Sequence, residues 1–157
     1  MYPYRMRFIL QFLSKLPRNF NISFIGYNDK YTSIFNKFNN SNIKVLKSFY
    51  YVEKADIIYG SKIIINNFHF AEFESLNNKF SEILSVGGIQ LIDNNKLIKN
   101  IFDREMYDHF VFNNTNELIE KSLFLLDNSE LRYKFSNKLK LISNDYSFNN
   151  FILNNLL

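Results

Sequence analysis

The sequence predicts an α/β fold built on a parallel sheet, and three features carry that expectation. Short β-branched runs alternate with amphipathic stretches of about ten residues or more, the order that strand-helix-strand crossovers require. One run, Lys62-Ile63-Ile64-Ile65-Asn66, is apolar enough for a strand covered on both faces, as parallel strands usually are. A hydrophobic fraction of 46%, with 18 Phe and 10 Tyr, suffices for a sizeable core and excludes intrinsic disorder. The length of 157 residues, without an internal repeat or a low-complexity linker, predicts one domain spanning residues 1–157.

The first element is a helix from Tyr4 to Leu16, because Met6, Ile9, Leu10, Leu13 and Leu16 recur at spacings of three and four before Pro17. A strand follows over Asn21 to Gly26, then a helix over 30–38 that Asp29 can cap, then a strand at Ile43-Lys44-Val45-Leu46. Between Tyr50 and Tyr59 the pattern is mixed, although Val52, Ala55 and Tyr59 share a helical face. Beyond the apolar run at 62–66, Leu76, Phe80, Ile83 and Leu84 form the buried stripe of a helix that Gly87-Gly88 ends. Ile89-Gln90-Leu91-Ile92 reads as a strand, and a less regular stretch leads to Phe110-Val111-Phe112. Asn114 with Glu117 resembles a capping box opening a helix that carries Leu118, Ile119, Leu123 and Leu126. Another helix runs from about Glu130 to Ile142 with Leu131, Phe135, Leu139 and Ile142 inward, and a last one begins near Tyr146.

Several function classes drop out on composition. Without cysteine there is no disulfide framework, thiolate metal site, iron-sulfur cluster or cysteine nucleophile, and a reducing cytoplasm is the expected location. The net charge of +4 is spread through interspersed Lys, Asp and Glu, so no basic block points to nucleic acid. His69 and His109 lack companions at metal-ligand spacing. No apolar stretch approaches the roughly 20 residues of a transmembrane helix, and no Walker, Gly-x-Ser-x-Gly or dinucleotide motif occurs.

The strongest chemical signal is the pair Glu74 and Glu82, with seven residues between them. If the helix starts near Ser75, Glu74 sits in the loop before it and Glu82 about two turns inside, roughly 10 Å along the axis. Such a span suits the two ends of a nucleotide sugar, and the first-turn N–H groups between them suit its pyrophosphate. Lys79 shares the face of Glu82 and adds positive charge. His69, between Phe68 and Phe70, either contacts donor phosphate or sugar or packs within the loop.

The stretch from Tyr59-Gly60-Ser61 through Asn78-Lys79-Phe80-Ser81-Glu82 to Leu91-Ile92-Asp93 resembles the donor-binding half of group-1 glycosyltransferases with the GT-B fold. It is most similar to the CgeB-like, spore-maturation branch. Phe24-Ile25-Gly26, Asn116-Glu117-Leu118 and Leu125-Leu126-Asp127-Asn128-Ser129-Glu130-Leu131-Arg132 fit the same half, so the resemblance covers nearly the whole chain. It implies a Rossmann-like C-terminal GT-B half in which Glu74 faces the transferred sugar as the catalytic carboxylate. Glu82 would hold ribose hydroxyls, and Lys79, Asn77, Asn78 and His69 would complete the donor site. The chain departs from the family in having Leu76-Asn77-Asn78 where Gly-rich sequence is usual. The resemblance further implies a nucleotide-diphosphate sugar as donor, no metal or other cofactor, and an acceptor domain missing from this chain. Turnover would then need that N-terminal domain or a partner chain that supplies it. Phe148, Phe151, Ile152, Leu156 and Leu157 would then be partly uncovered and would favour such a partner or a homo-oligomer. A second class stays open, a non-catalytic interaction module that keeps the half-fold.

Overall fold

The computed structural model describes residues 3–17, 20–25, 32–35, 38, 41–46, 51–68 and 75–145. It contains two compact units, Met1–Lys54 and Ala55–Leu157. Glu74, His69 and the apolar C-terminal residues Phe148, Phe151, Ile152, Leu156 and Leu157 lie outside the described residues.

In the first unit, helix α1 (Pro3–Lys15) is the expected amphipathic helix. Leu13 and Leu16 are buried as their spacing predicts, and Phe12 joins them. Strands β1 (Phe20–Ile25) and β2 (Ser41–Leu46) flank the short α2 (Thr32–Phe35) and pair in parallel from Phe20↔Ser41 to Ile25↔Leu46. Phe20, Ile22 and Phe24 are half-buried while Asn21, Ser23 and Ile25 are exposed, the period-two pattern of a pleated strand. Phe24 stacks on Phe35 with ring centroids 4.1 Å apart and planes 8° from parallel.

The mixed pattern after Tyr50 resolves into a helix, α3 (Tyr51–Gly60). Beyond it β3 (Ile64–Asn66), β4 (Gln90–Asp93) and β5 (Val111–Phe112) form a parallel sheet in the order β3-β4-β5. The register runs from Ile64↔Gln90 to Asn66↔Ile92 on one side of β4, with Ile92↔Val111 and Asp93↔Phe112 on the other. Helix α4 (Asn78–Ser85) connects β3 to β4, and α5 (Ile98–Ile101) with α6 (Arg104–Phe110) connects β4 to β5. Helices α7 (Thr115–Asp127) and α8 (Ser129–Asp145) follow. Both units are therefore α/β with parallel strands, as the alternation of elements predicts.

Three expectations change. The strand covered on both faces is β4, where Gln90, Leu91 and Ile92 are all buried; β3 lies at the edge of its sheet and leaves Ile65 38% exposed. The stretch before Phe110 contains α5 and α6, helices of four and seven residues, which are too short to display a periodic stripe. On α7 the buried face is Thr115, Leu118, Ser122 and Leu125, rotated from the predicted stripe, so that Ile119, Leu123 and Leu126 are only half-buried.

Fully buried Phe80, Phe110 and Phe135 share the second unit's core with Leu91, Ile92, Met106, Leu118, Leu125 and Leu139. A line of rings links the helices: Phe80 to Phe102 at 5.9 Å, Phe102 to Phe110 at 5.6 Å, and Phe110 to Phe135 at 4.9 Å. The last two contacts are edge-to-face, the arrangement that the ring quadrupole favours.

Helix α6 is anchored electrostatically. Its N-cap Asp103 accepts from Met106 N at 2.9 Å and pairs with Lys138 of α8, while Lys134 donates to Glu105 at 2.6 Å. The Lys138 ammonium and the Met106 N–H hold the Asp103 carboxyl below its usual range. A carboxyl lowered by folding adds stability that is fully present above its unfolded-state value, about pH 4, and is lost as pH falls through the lower folded-state value. Asp103→Asn keeps a good N-cap and loses the ion pair. It is expected to cost about 0.2–1 kcal/mol at neutral pH, since the pair is solvent-screened, and to cost nothing once wild-type Asp103 is protonated. Urea unfolding at both pH values checks this, and an equal cost at both would contradict it.

Candidate functional site

Because β3, β4 and β5 are parallel, they deliver their C-terminal ends to one sheet edge, where open α/β sheets place their ligands. That edge is dominated by carboxamides: Asn66 and Asn67 at the end of β3, Asp93, Asn94 and Asn95 at the end of β4, and Asn113 and Asn114 after β5. They tie the loops to one another. Asp93 accepts from Asn67 Nδ2 and, at 2.9 Å, from Phe68 N. Asn95, 3% exposed, donates to Ser75 O at 3.2 Å and accepts from Leu97 N at 2.9 Å. Asn94 donates to Asn113 Oδ1 at 2.9 Å and accepts from Tyr107 Oη at 2.8 Å.

The start of α7 is capped as expected, in a variant of the capping box in which Glu117 reaches one residue beyond the N-cap. Asn114 Oδ1 accepts from the N–H groups of Asn116 and Glu117, each at 3.0 Å, and Glu117 reaches back to accept from Asn113 N at 3.0 Å. That backbone N–H leads the interactions that hold the Glu117 carboxyl below its usual range.

Helix α4 opens onto the same edge, because it leaves the β3 end and returns to the start of β4. Its N-cap is Asn77, whose side chain accepts from Phe80 N at 2.9 Å, so the helix begins at Asn78 and not near Ser75. Glu82 therefore stands about one turn inside the helix, roughly 6 Å along its axis, and not the two turns that the sequence suggested. Lys79 and Glu82 are exposed, as is Asn78 at the first helical position, while Phe80, Ile83 and Leu84 face the core. Asn78 and Lys79 present first-turn N–H groups at the helix start. The structure thus places Asn78, Lys79 and Glu82 on one short helix with Asn77 as its cap. Glu74 and His69 fall in the stretch between Phe68 and Ser75, outside the described residues.

Sequence reasoning missed Asn66, Gln90, Asp93 and Asn95. The available signal was a polar residue within or ending an apolar run: Asn66 after three isoleucines, and Gln90 between Ile89 and Leu91.

A groove of about 320 Å³ in the second unit lies at the opposite edge. Tyr59, Lys62, Gly87, Gly88, Arg132 and Tyr133 help line it, and Lys62 and Ile89 stand just ahead of β3 and β4. It is therefore remote from the strand ends and from the α4 N-terminus. Among the described residues no cluster of His, Asp and Glu could hold a metal ion, and no helix is long and apolar enough to cross a membrane.

Parallel strands whose ends meet a capped helix N-terminus are the arrangement of a Rossmann-like α/β half-fold, the class in which ligands are generally found at this edge. Residues 5–150 match the family described as glycosyl transferase-like, and the chain belongs to that family. No curated protein matches it.

Proposed function

We propose that this chain is the donor-binding domain of a CgeB-like, group-1 glycosyltransferase, acting in the cytoplasm on a nucleotide-diphosphate sugar. The observation that carries this is the Asn77-capped start of α4 at the C-terminal edge of β3 and β4, in a chain matching a glycosyl transferase-like family over residues 5–150. The N–H groups of Asn78 and Lys79 and the Lys79 ammonium receive the diphosphate. Glu82 accepts from ribose hydroxyls, Glu74 serves the transferred sugar as catalytic carboxylate, and His69 contributes a further contact to donor phosphate or sugar. As an acceptor hydroxyl oxygen bonds to the anomeric carbon and gives up its proton to a base of the acceptor-binding domain, the bond from that carbon to the diphosphate oxygen breaks and its electron pair leaves with the diphosphate. The growing negative charge there is met by the helix N-terminus and Lys79, which is the interaction that lowers the barrier. An acceptor-binding domain completes the cleft for turnover.

Calorimetry with UDP, GDP and their sugars is expected to give saturable binding for at least one of them. Glu82→Ala should weaken it about 10- to 100-fold, the worth of a charge-assisted hydrogen bond, with little effect on folding because Glu82 is exposed. A folded chain that gives no saturable heat at millimolar nucleotide would refute the donor assignment.

A further inference from the structure

Two primary amides are buried where the packing alone would favour hydrocarbon: Asn66 at 1% and Gln90 at 0% exposure. Gln90 opens the central strand and is paired in register with Ile64, and Asn66 closes the edge strand beside it. Burying a primary amide is costly unless its polar atoms find partners, and here they do. Asn66 and Asn77 exchange a reciprocal pair of hydrogen bonds, Nδ2 of Asn66 to Oδ1 of Asn77 at 3.2 Å and Nδ2 of Asn77 to Oδ1 of Asn66 at 3.1 Å. Asn66 Nδ2 also donates to Gln90 Oε1 at 3.2 Å, and Gln90 Nε2 donates to the carbonyl of Phe80 at 3.2 Å. Asn77 Oδ1 in turn accepts from the Phe80 N–H at 2.9 Å.

The result is a closed relay gripping one residue of the first turn of α4 at both ends of its backbone. The Phe80 N–H is held through Asn77 and Asn66 from β3, and the Phe80 carbonyl through Gln90 from β4. Apolar contact through Phe80, Ile83 and Leu84 is non-directional and would tolerate small slides and rotations of the helix over the sheet. Directional hydrogen bonds do not, least of all the buried ones from Asn66 to Gln90 and from Gln90 to the Phe80 carbonyl.

We infer that Asn66 and Gln90 are positioning residues: they set the height and rotation of the α4 N-terminus against the sheet edge, and so the aim of the Asn78 and Lys79 N–H groups at a nucleotide diphosphate. This inference rests on the donor-binding role proposed above. Neither side chain touches the ligand in this scheme; both act through Asn77 and Phe80.

The test uses the full chain with the double variant Asn66→Leu/Gln90→Leu and the length-matched single variant Gln90→Met, which serves if the double variant does not fold. Replacing paired buried polar groups by apolar ones of similar size can be nearly neutral for stability, so thermal stability and site geometry separate. Two readouts are taken: the backbone amide NMR signals of Asn78, Lys79 and Phe80, and the affinities for UDP and GDP against uridine and guanosine. Displaced amide signals are expected, with diphosphate nucleotide binding weaker by about tenfold or more and nucleoside binding, which draws only on the Glu82 contact further along α4, weakened less. Wild-type amide signals in a folded variant would overturn the inference, as would displaced signals with undiminished diphosphate affinity. If the wild type binds no nucleotide, the donor-binding role itself fails. The amide signals then decide the relay alone, displacement upholding it and constancy overturning it.

Discussion

Phe110→Ala is expected to destabilise the second unit by roughly 3–5 kcal/mol, the range for truncating a fully buried aromatic. Phe110 is 0% exposed, closes α6 immediately before β5, and meets Phe102 and Phe135 edge-to-face at 5.6 and 4.9 Å. Its removal deletes both ring contacts and opens a cavity between helices that cannot collapse independently, because α6 is also pinned to α8 through Asp103–Lys138 and Glu105–Lys134. Phe110→Leu, which retains most of the volume, should cost less than half as much. Denaturant midpoints of the two variants check this; equal losses would mean that ring geometry, and not cavity volume, dominates.

Gly87→Ala is expected to cost roughly 2–5 kcal/mol, for two separable reasons. Helix α4 ends in a Schellman arrangement, with Gly88 N bonded to Ile83 O at 2.9 Å and Gly87 N to Leu84 O at 3.0 Å. This places Gly87 at φ +70°, where an L side chain costs about 1–2 kcal/mol. A Cβ there would also lie 2.8 Å from Ser136 O of α8. That carbonyl belongs to a helix backbone and cannot yield as the tip of a side chain can, so overpacking adds roughly 1–3 kcal/mol. Gly60 is the internal contrast. It ends α3 without a positive φ, and a Cβ added there would meet nothing within 4 Å, so Gly60→Ala should be neutral or stabilising by up to about 1 kcal/mol. Thermal melts of both variants test the pair, and a Gly87→Ala protein as stable as Gly60→Ala would refute the close approach of α4 to α8.

Much of this architecture was legible because its signals are local. The three- and four-residue spacing of Phe80, Ile83 and Leu84 announced α4, Gly87-Gly88 marked its end, and Asn114 with Glu117 marked the start of α7. Each depends on residues within a few positions of one another, which is the range over which helical periodicity, caps and positive-φ turns act. The alternation of such segments with β-branched runs was enough for the α/β class and the parallel pairing.

The start of α4 was not legible, and the candidate site turns on it. Ser75, Asn77 and Asn78 can each cap a helix, so sequence alone offered several starting points. The choice of Asn77 agrees with its bonds to Asn66, eleven residues earlier, and moves Glu82 from about two turns inside the helix to about one. The polarity of the strand interior was equally hidden: a glutamine inside an apolar run is ambiguous until Asn66 and Phe80 are brought beside it. The sequence by itself therefore determined most of the elements, though not α5 and α6, together with their parallel order and the residue types of the candidate donor helix. Tertiary structure decided where that helix begins and which buried amides hold it, because hydrogen bonds between residues distant in the chain exist only once the sheet has brought them together.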